Sequence, residues 1–146
     1  MALLFNPVQL WNEPSLTVMP LSGLRVIEVS TLGTASNYET LIFPKFAGLA
    51  PGPFAGLVLA DNGATVIRVD KPSSSSLDIL CRGKRSIAIN PKRPTGRDVL
   101  IKLISSADVV IDPFRPGVME RLGLGPEVFL GEEGLNRGLI YARIVG

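Results

Sequence analysis

The sequence predicts a mostly parallel, doubly wound α/β sheet. Three observations predict it: short β-branched runs spaced so that helical segments fit between them, Gly- and Pro-rich connections at the ends of those runs, and an ordinary one-domain composition. The chain has 146 residues, 46% hydrophobic and 19% charged, which excludes a disordered or collagenous class. Gly 15 and Pro 12 are high counts, so tight turns are expected to be frequent.

Residues 24–29 (LRVIEV) and 65–70 (TVIRVD) read as buried strands. Between them, residues 53–60 (PFAGLVLA) have apolar spacing suited to a helix, with Pro53 in the first turn, where proline is tolerated, and Asn62-Gly63 as the stop. Residues 86–90 predict a third strand. Pro94 then opens a helix to about residue 106 whose Leu100, Leu103, Ile104 and Ala107 share a face. Residues 108–112 (DVVID) predict a fourth strand, 117–122 and 126–130 short helical pieces, and 139–145 a fifth strand.

Composition also limits the chemistry. With His 0, the chain holds no Ser-His-Asp or Cys-His nucleophile system, no His metal site and no histidine pH switch. Cys81, the one cysteine, has no internal disulfide partner and fits a reducing compartment or a small buried hydrophobe. The longest uncharged run, residues 46–60, is interrupted by Pro51 and Pro53 and falls short of the roughly 20 residues that span a bilayer, so no membrane association is expected. No basic residue precedes Arg25 and Glu13 lies in that stretch, which argues against a secretory or transit signal; a cytoplasmic location is the default expectation.

Charge is uneven along the chain. Residues 68–102 hold nine basic side chains (Arg68, Lys71, Arg82, Lys84, Arg85, Lys92, Arg93, Arg97, Lys102) against three acidic ones, a net of +6 in a chain of net +2. Such a band suits an anionic partner such as phosphate groups, or else is a solvated loop and helix face. Nucleic acid fits less well, because the segment has no Phe, Tyr or Trp on which bases could stack and no helix-turn-helix or zinc signature appears.

Doubly wound sheets take ligands in the crevice beyond the carboxyl ends of their strands, which selects the loops after Glu28, Val69, Ile111 and Ile144. The loop 48–53 (GLAPGP) is neither GxGxxG nor a P-loop, but its small residues let a ligand approach backbone and the helix that follows favours an anion. In 112–117 (DPFRPG), Arg115 sits between two prolines, so its planar fork orders at low entropic cost and suits a phosphate or carboxylate. Pairing with Asp112 or Glu120 is the alternative, and Arg121 is open to the same two readings. The serine run 73–76 reads as a linker.

Five blocks in order, LSGLRVIE (21–28), AGLAPGPFAGLVLADNGATVIRVDKP (47–72), RGKRSIAIN (82–90), ADVVIDPFRPGVMERLGLGPEV (107–128) and LIYARIVG (139–146), resemble the start of family III CoA-transferases, and ERLGLGPE followed by LIYAR is most similar to the alpha-methylacyl-CoA racemase branch. The resemblance implies an acyl-CoA enzyme, either racemising a 2-methylacyl-CoA by proton transfer or moving CoA between carboxylic acids, with coenzyme A entering as the acyl-CoA substrate. It implies a Rossmann-like sheet, incomplete at the carboxyl end of this chain, and an interlocked homodimer. The CoA contacts it implies are Ala50 and Pro51, Lys71, Ile89 and the residues on to Lys92, Pro113, Phe114, Arg115 and Arg121. Where the family commonly has Arg, Lys71 keeps the charge and loses the bidentate fork.

The resemblance assigns no catalytic residue and no metal ligand here, since the family's acid/base or acyl-accepting groups correspond to positions past residue 146. It also implies a division into an extension (1–20) and the family domain (21–146), with an unusual insertion at 29–45, where family chains pass directly from strand to loop. The other reading is a non-catalytic CoA-binding module or a gene remnant.

Overall fold

The computed structural model describes residues 18–30, 51–72 and 79–144. Most of the expected extension, residues 31–45 of the expected insertion, Ala50 and the serine run 73–76 lie outside them.

Five strands, β1 (Arg25–Val29), β2 (Thr65–Asp70), β3 (Arg85–Ala88), β4 (Val109–Asp112) and β5 (Ile140–Arg143), form one sheet in the order β3-β2-β1-β4-β5, with every adjacent pair parallel. Central β1 is set by Val26 lying opposite Val66 on one side and Val109 on the other. The β-branched runs form these strands because branched side chains pack well on a pleated surface covered on both faces. The helices are α1 (Pro51–Asp61), α2 (Pro94–Ser105), α3 (Val118–Arg121) and α4 (Pro126–Phe129). Every expected element is present, with ends moved by a residue or two. The largest shifts are that α1 starts at Pro51, β3 stops at Ala88 and β5 stops at Arg143.

Alternation along the strands divides the core into two layers. Val26, Val66, Val109 and Ile111 pack with Ala55, Leu59 and Ala60 of α1. On the opposite face, Ile27, Val69 and Val110 pack with Leu100 and Ile104 of α2, Met119 of α3 and Phe129 of α4. Helices therefore cover both faces, as double winding requires.

Helix α1 meets the sheet through small residues. Gly52, Pro53 and Gly56 are its buried positions, whereas Phe54 and Val58 are 56% and 42% exposed. The reason lies beneath it: Glu28 of β1 is buried and its carboxylate accepts from Lys84 Nζ at 2.7 Å, while the same ammonium donates to the Pro53 carbonyl at 2.8 Å. A Cβ on Gly56 would overlap the Glu28 carboxylate, so only glycine lets the helix settle over this pair. On the strand side, Val29 closes β1 and the Ser30 amide donates to the Val69 carbonyl at 3.0 Å, so the expected insertion at 29–45 overlaps the sheet by these two residues.

Candidate functional site

With this strand order, chain connections leave β1 and β4 in opposite directions, so the crevice between their carboxyl ends is the topological switch point. Helix α1 begins over it. A Cβ on Gly52 would come 3.4 Å from Pro113, so the first turn of α1, which Pro51 opens, lies close to the loop after β4. Phe114 turns inward and packs against the core of the α2 face, leaving Arg115 exposed.

A second concavity lies to one side. The start of α2 and the end of α3 enclose an open cleft of about 560 Å³ lined by Pro91, Lys92, Arg93, Pro94, Arg97, Val118, Arg121 and Leu122. Four cations line it and no carboxylate does. An adjoining cleft of about 560 Å³ runs from Pro72, past Ile87, Ile89 and Asn90, to Thr95, Gly96 and Val99, sharing Arg93 with the first. Lys71 is exposed at the end of β2, beside Pro72. The side chain of Ile89 is buried in the core, and its amide donates to the Asp70 carbonyl at 2.9 Å.

The local sequence makes the cleft floor. Asn90 Oδ1 accepts the Lys92 amide at 3.0 Å, turning the chain so that Pro94 can occupy the first helical turn. A Cβ on Gly96 would overlap the Asn90 carbonyl, so glycine brings the first turn of α2 down onto this loop. That first turn has no acidic residue and no side-chain cap, and Arg93 stands at the cap position with Arg97 one turn later. A helix N-terminus carries partial positive charge and ordinarily draws Asp or Glu. Two arginines there are an electrostatic conflict that a bound anion relieves.

The basic band of the sequence divides by role. Lys84 is buried on Glu28, Arg68 pairs with Asp70 at 3.0 Å, and Arg82 pairs with Asp61 through both a 3.1 Å contact and a closely held second one. The Arg82 hydrogen bonds hold the Asp61 carboxyl below the usual carboxylate range. These three cations serve the fold. Lys92, Arg93 and Arg97 face the cleft instead, and among the described residues they, Arg115 and Arg121 form no ion pair.

The alternative of Arg115 pairing with Asp112 or Glu120 does not hold, because another arginine takes both carboxylates. Arg143 of β5 donates from Nε to Asp112 at 2.9 Å and from Nη2 to Glu120 at 2.8 Å. Glu120 is held below its ordinary range, first by its own backbone amide and then by Arg143. The same two carboxylates push Arg143 up.

The structure thus brings Lys92 and Arg121 into one cleft, places Lys71 and Ile89 beside its extension, and sets Pro51 and Pro113 at the switch point, with Arg115 on the loop that joins β4 to α3. In sequence, Arg93 and Arg97 stand only as part of the basic band, although their i, i+4 spacing at a helix start marks them, and nothing singles out Arg143 for the site. Among the described residues no group of three or more His, Cys, Asp or Glu side chains is placed to hold a metal, and no helix is long and apolar enough to cross a membrane.

Comparison with known proteins places the fold in a family. The family model of CoA-transferase family III matches residues 21–146. Alpha-methylacyl-CoA racemase of Mus musculus is 47% identical over 128 residues, and that of Homo sapiens 46% over 129; each alignment covers 88% of this chain and 28% of the relative. Among solved structures, Rv3272 from M. tuberculosis superimposes with a TM-score of 0.66 at 32% identity, and a CAIB/BAIF family protein from Brucella suis with 0.66 at 29%; each match covers 88% of this chain and 34% of the other. The chain therefore spans just over a quarter of the length of the racemases it matches.

Proposed function

The chain belongs to CoA-transferase family III, and on that ground we propose that it supplies the CoA-binding part of an acyl-CoA racemase or transferase, with the phosphates of CoA taken by the cleft between α2 and α3. The observation that carries this reading is the convergence of Lys92, Arg93, Arg97 and Arg121 on a helix N-terminus with no acidic residue in the lining. Anions gain there from both the side-chain charges and the backbone dipole. Lys71 and the backbone at Ile89 border the adjoining cleft, and Pro51, Pro113 and Arg115 form the rim at the switch point, from which the pantetheine and acyl group would continue.

Racemisation needs one group to remove the proton beside the thioester and another to return it on the opposite face, and CoA transfer needs a carboxylate nucleophile. The clefts offer cations and apolar side chains, so in this reading the described residues bind and orient CoA and the reacting groups come from elsewhere in the assembly. A homodimer belongs to the same reading.

Calorimetric titration with CoA and with dephospho-CoA tests the assignment. A charge-assisted hydrogen bond from one of these cations to the extra phosphate contributes about 1.5–3 kcal/mol, so CoA should bind roughly 10- to 100-fold more tightly. Equal affinities would remove the phosphate assignment. Duplex DNA binding with a steep salt slope would move the basic cleft to a nucleic-acid role.

A further inference from the structure

One side chain ties both of the remaining cation-bearing segments to the sheet. Arg143 spans from β5 to two carboxylates on different elements: Asp112, at the end of β4, and Glu120, in α3. Asp112 is completely buried, and while its Oδ2 accepts from Arg143, its Oδ1 accepts the Phe114 amide at 2.9 Å, which fixes the first turn of the loop carrying Arg115. Glu120 immediately precedes Arg121, so holding Glu120 sets the rotation of the one-turn helix that delivers Arg121 to the cleft. Tyr141 adds a third hold. Its ring lies 5.7 Å from the Arg143 guanidinium and its hydroxyl donates to the Leu124 carbonyl at 3.0 Å, which anchors the chain just beyond α3.

We infer that Arg143 is a positioning residue for the CoA site, acting through Glu120 on Arg121 in the phosphate cleft and through Asp112 on Arg115 at the switch-point rim. This rests on the CoA reading above. Its Nε and Nη2 are both committed to carboxylates, so its contribution is geometric and electrostatic: it orients the two segments, and it neutralises two carboxylates on the elements that carry Arg115 and Arg121. The planar fork is needed because the two acceptors sit on separate elements, and a lysine in its place reaches one of them.

The test is a double-mutant cycle on the 146-residue chain, with CoA affinity read by calorimetry and amide exchange read by NMR. Arg143→Met should weaken CoA about tenfold, by analogy with the loss seen when the orienting partner of a metal ligand is removed, and Arg143→Lys should recover only part of the loss. In an Arg115→Met/Arg121→Met background, Arg143→Met should cost nothing further. An equal loss in both backgrounds, or no loss in the first, overturns the inference, since a merely structural role would not depend on the two cations. Should Arg143→Met fail to fold, the same cycle is run with Arg143→Lys. If the unsubstituted chain does not bind CoA, the CoA reading fails on its own, and exchange then decides: selective loss of Phe114 amide protection in the variant, with Ile27 and Val110 unchanged, supports the positioning role, and unchanged Phe114 protection overturns it.

Discussion

Replacing Gly56 with alanine sets two effects of known size against each other. In an exposed helix interior the change would stabilise, because alanine is favoured over glycine by about 1 kcal/mol. Here the new methyl group would overlap the Glu28 carboxylate and approach Lys84 Nζ to 3.1 Å. Both side chains are almost fully buried, at 1% and 2% exposed, so neither can swing into water. Either α1 lifts from the sheet or the carboxylate leaves the ammonium, and breaking a buried pair costs about 3–5 kcal/mol.

The propensity gain offsets about 1 kcal/mol of this, leaving Gly56→Ala destabilised by about 2–4 kcal/mol. Urea unfolding followed by far-ultraviolet circular dichroism should show a lower midpoint with an unchanged slope. Two controls locate the cause. Gly52→Ala, whose methyl would meet Pro113 at an ordinary 3.4 Å, should be close to neutral. In a Glu28→Ala/Lys84→Met background, where both groups that the new methyl would meet are gone, Gly56→Ala should cost less than about 1 kcal/mol. Wild-type or higher stability for Gly56→Ala alone would refute the account of α1 as a helix seated on an ion pair.

Stability should be flat across neutral pH, since the chain has no histidine. Asp61, Asp108 and Glu120 have native carboxyl pKa values held below ordinary ones, chiefly by hydrogen bonds from Arg82, from the Arg25 backbone amide and from the Glu120 amide respectively; the stability they contribute is present above the unfolded values of 3.8 and 4.5 and is lost as pH falls through the native ones. At the alkaline end, burial and then the Asp112 charge push the Tyr141 hydroxyl up from 10.0, so stability should fall as pH rises above that value; a melting temperature insensitive to pH at both extremes would contradict these assignments. Arg93→Met and Arg97→Met should each weaken CoA binding while raising stability by about 0.3–1 kcal/mol, because each removes a cation from a helix N-terminus; loss of stability together with unchanged CoA affinity would show that these side chains serve the fold.

The strands were legible because buried parallel strands must be short, apolar and β-branched, and runs such as VIEV and VIRV have few other uses. The doubly wound class followed from their alternation with helical segments. The existence of α1 was equally legible, but its orientation was not. Apolarity would have buried Phe54 and Val58; the structure exposes them and buries Gly52, Pro53 and Gly56, because what rests beneath the helix is a carboxylate and an ammonium that demand close approach.

The same limit applies to charge. A count along residues 68–102 treats Lys84 and Lys92 alike, yet one is buried on Glu28 and the other faces the cleft. Residue order and type were enough to specify the α/β class and the basic band from which the proposed site draws Lys92, Arg93 and Arg97. That Arg143 rather than Arg115 takes Asp112 was settled only when the parallel register set β5 beside β4, and that Lys84 pairs with Glu28 while Lys92 and Arg121 converge was likewise settled by how distant segments pack, since such distances are not encoded in any local pattern.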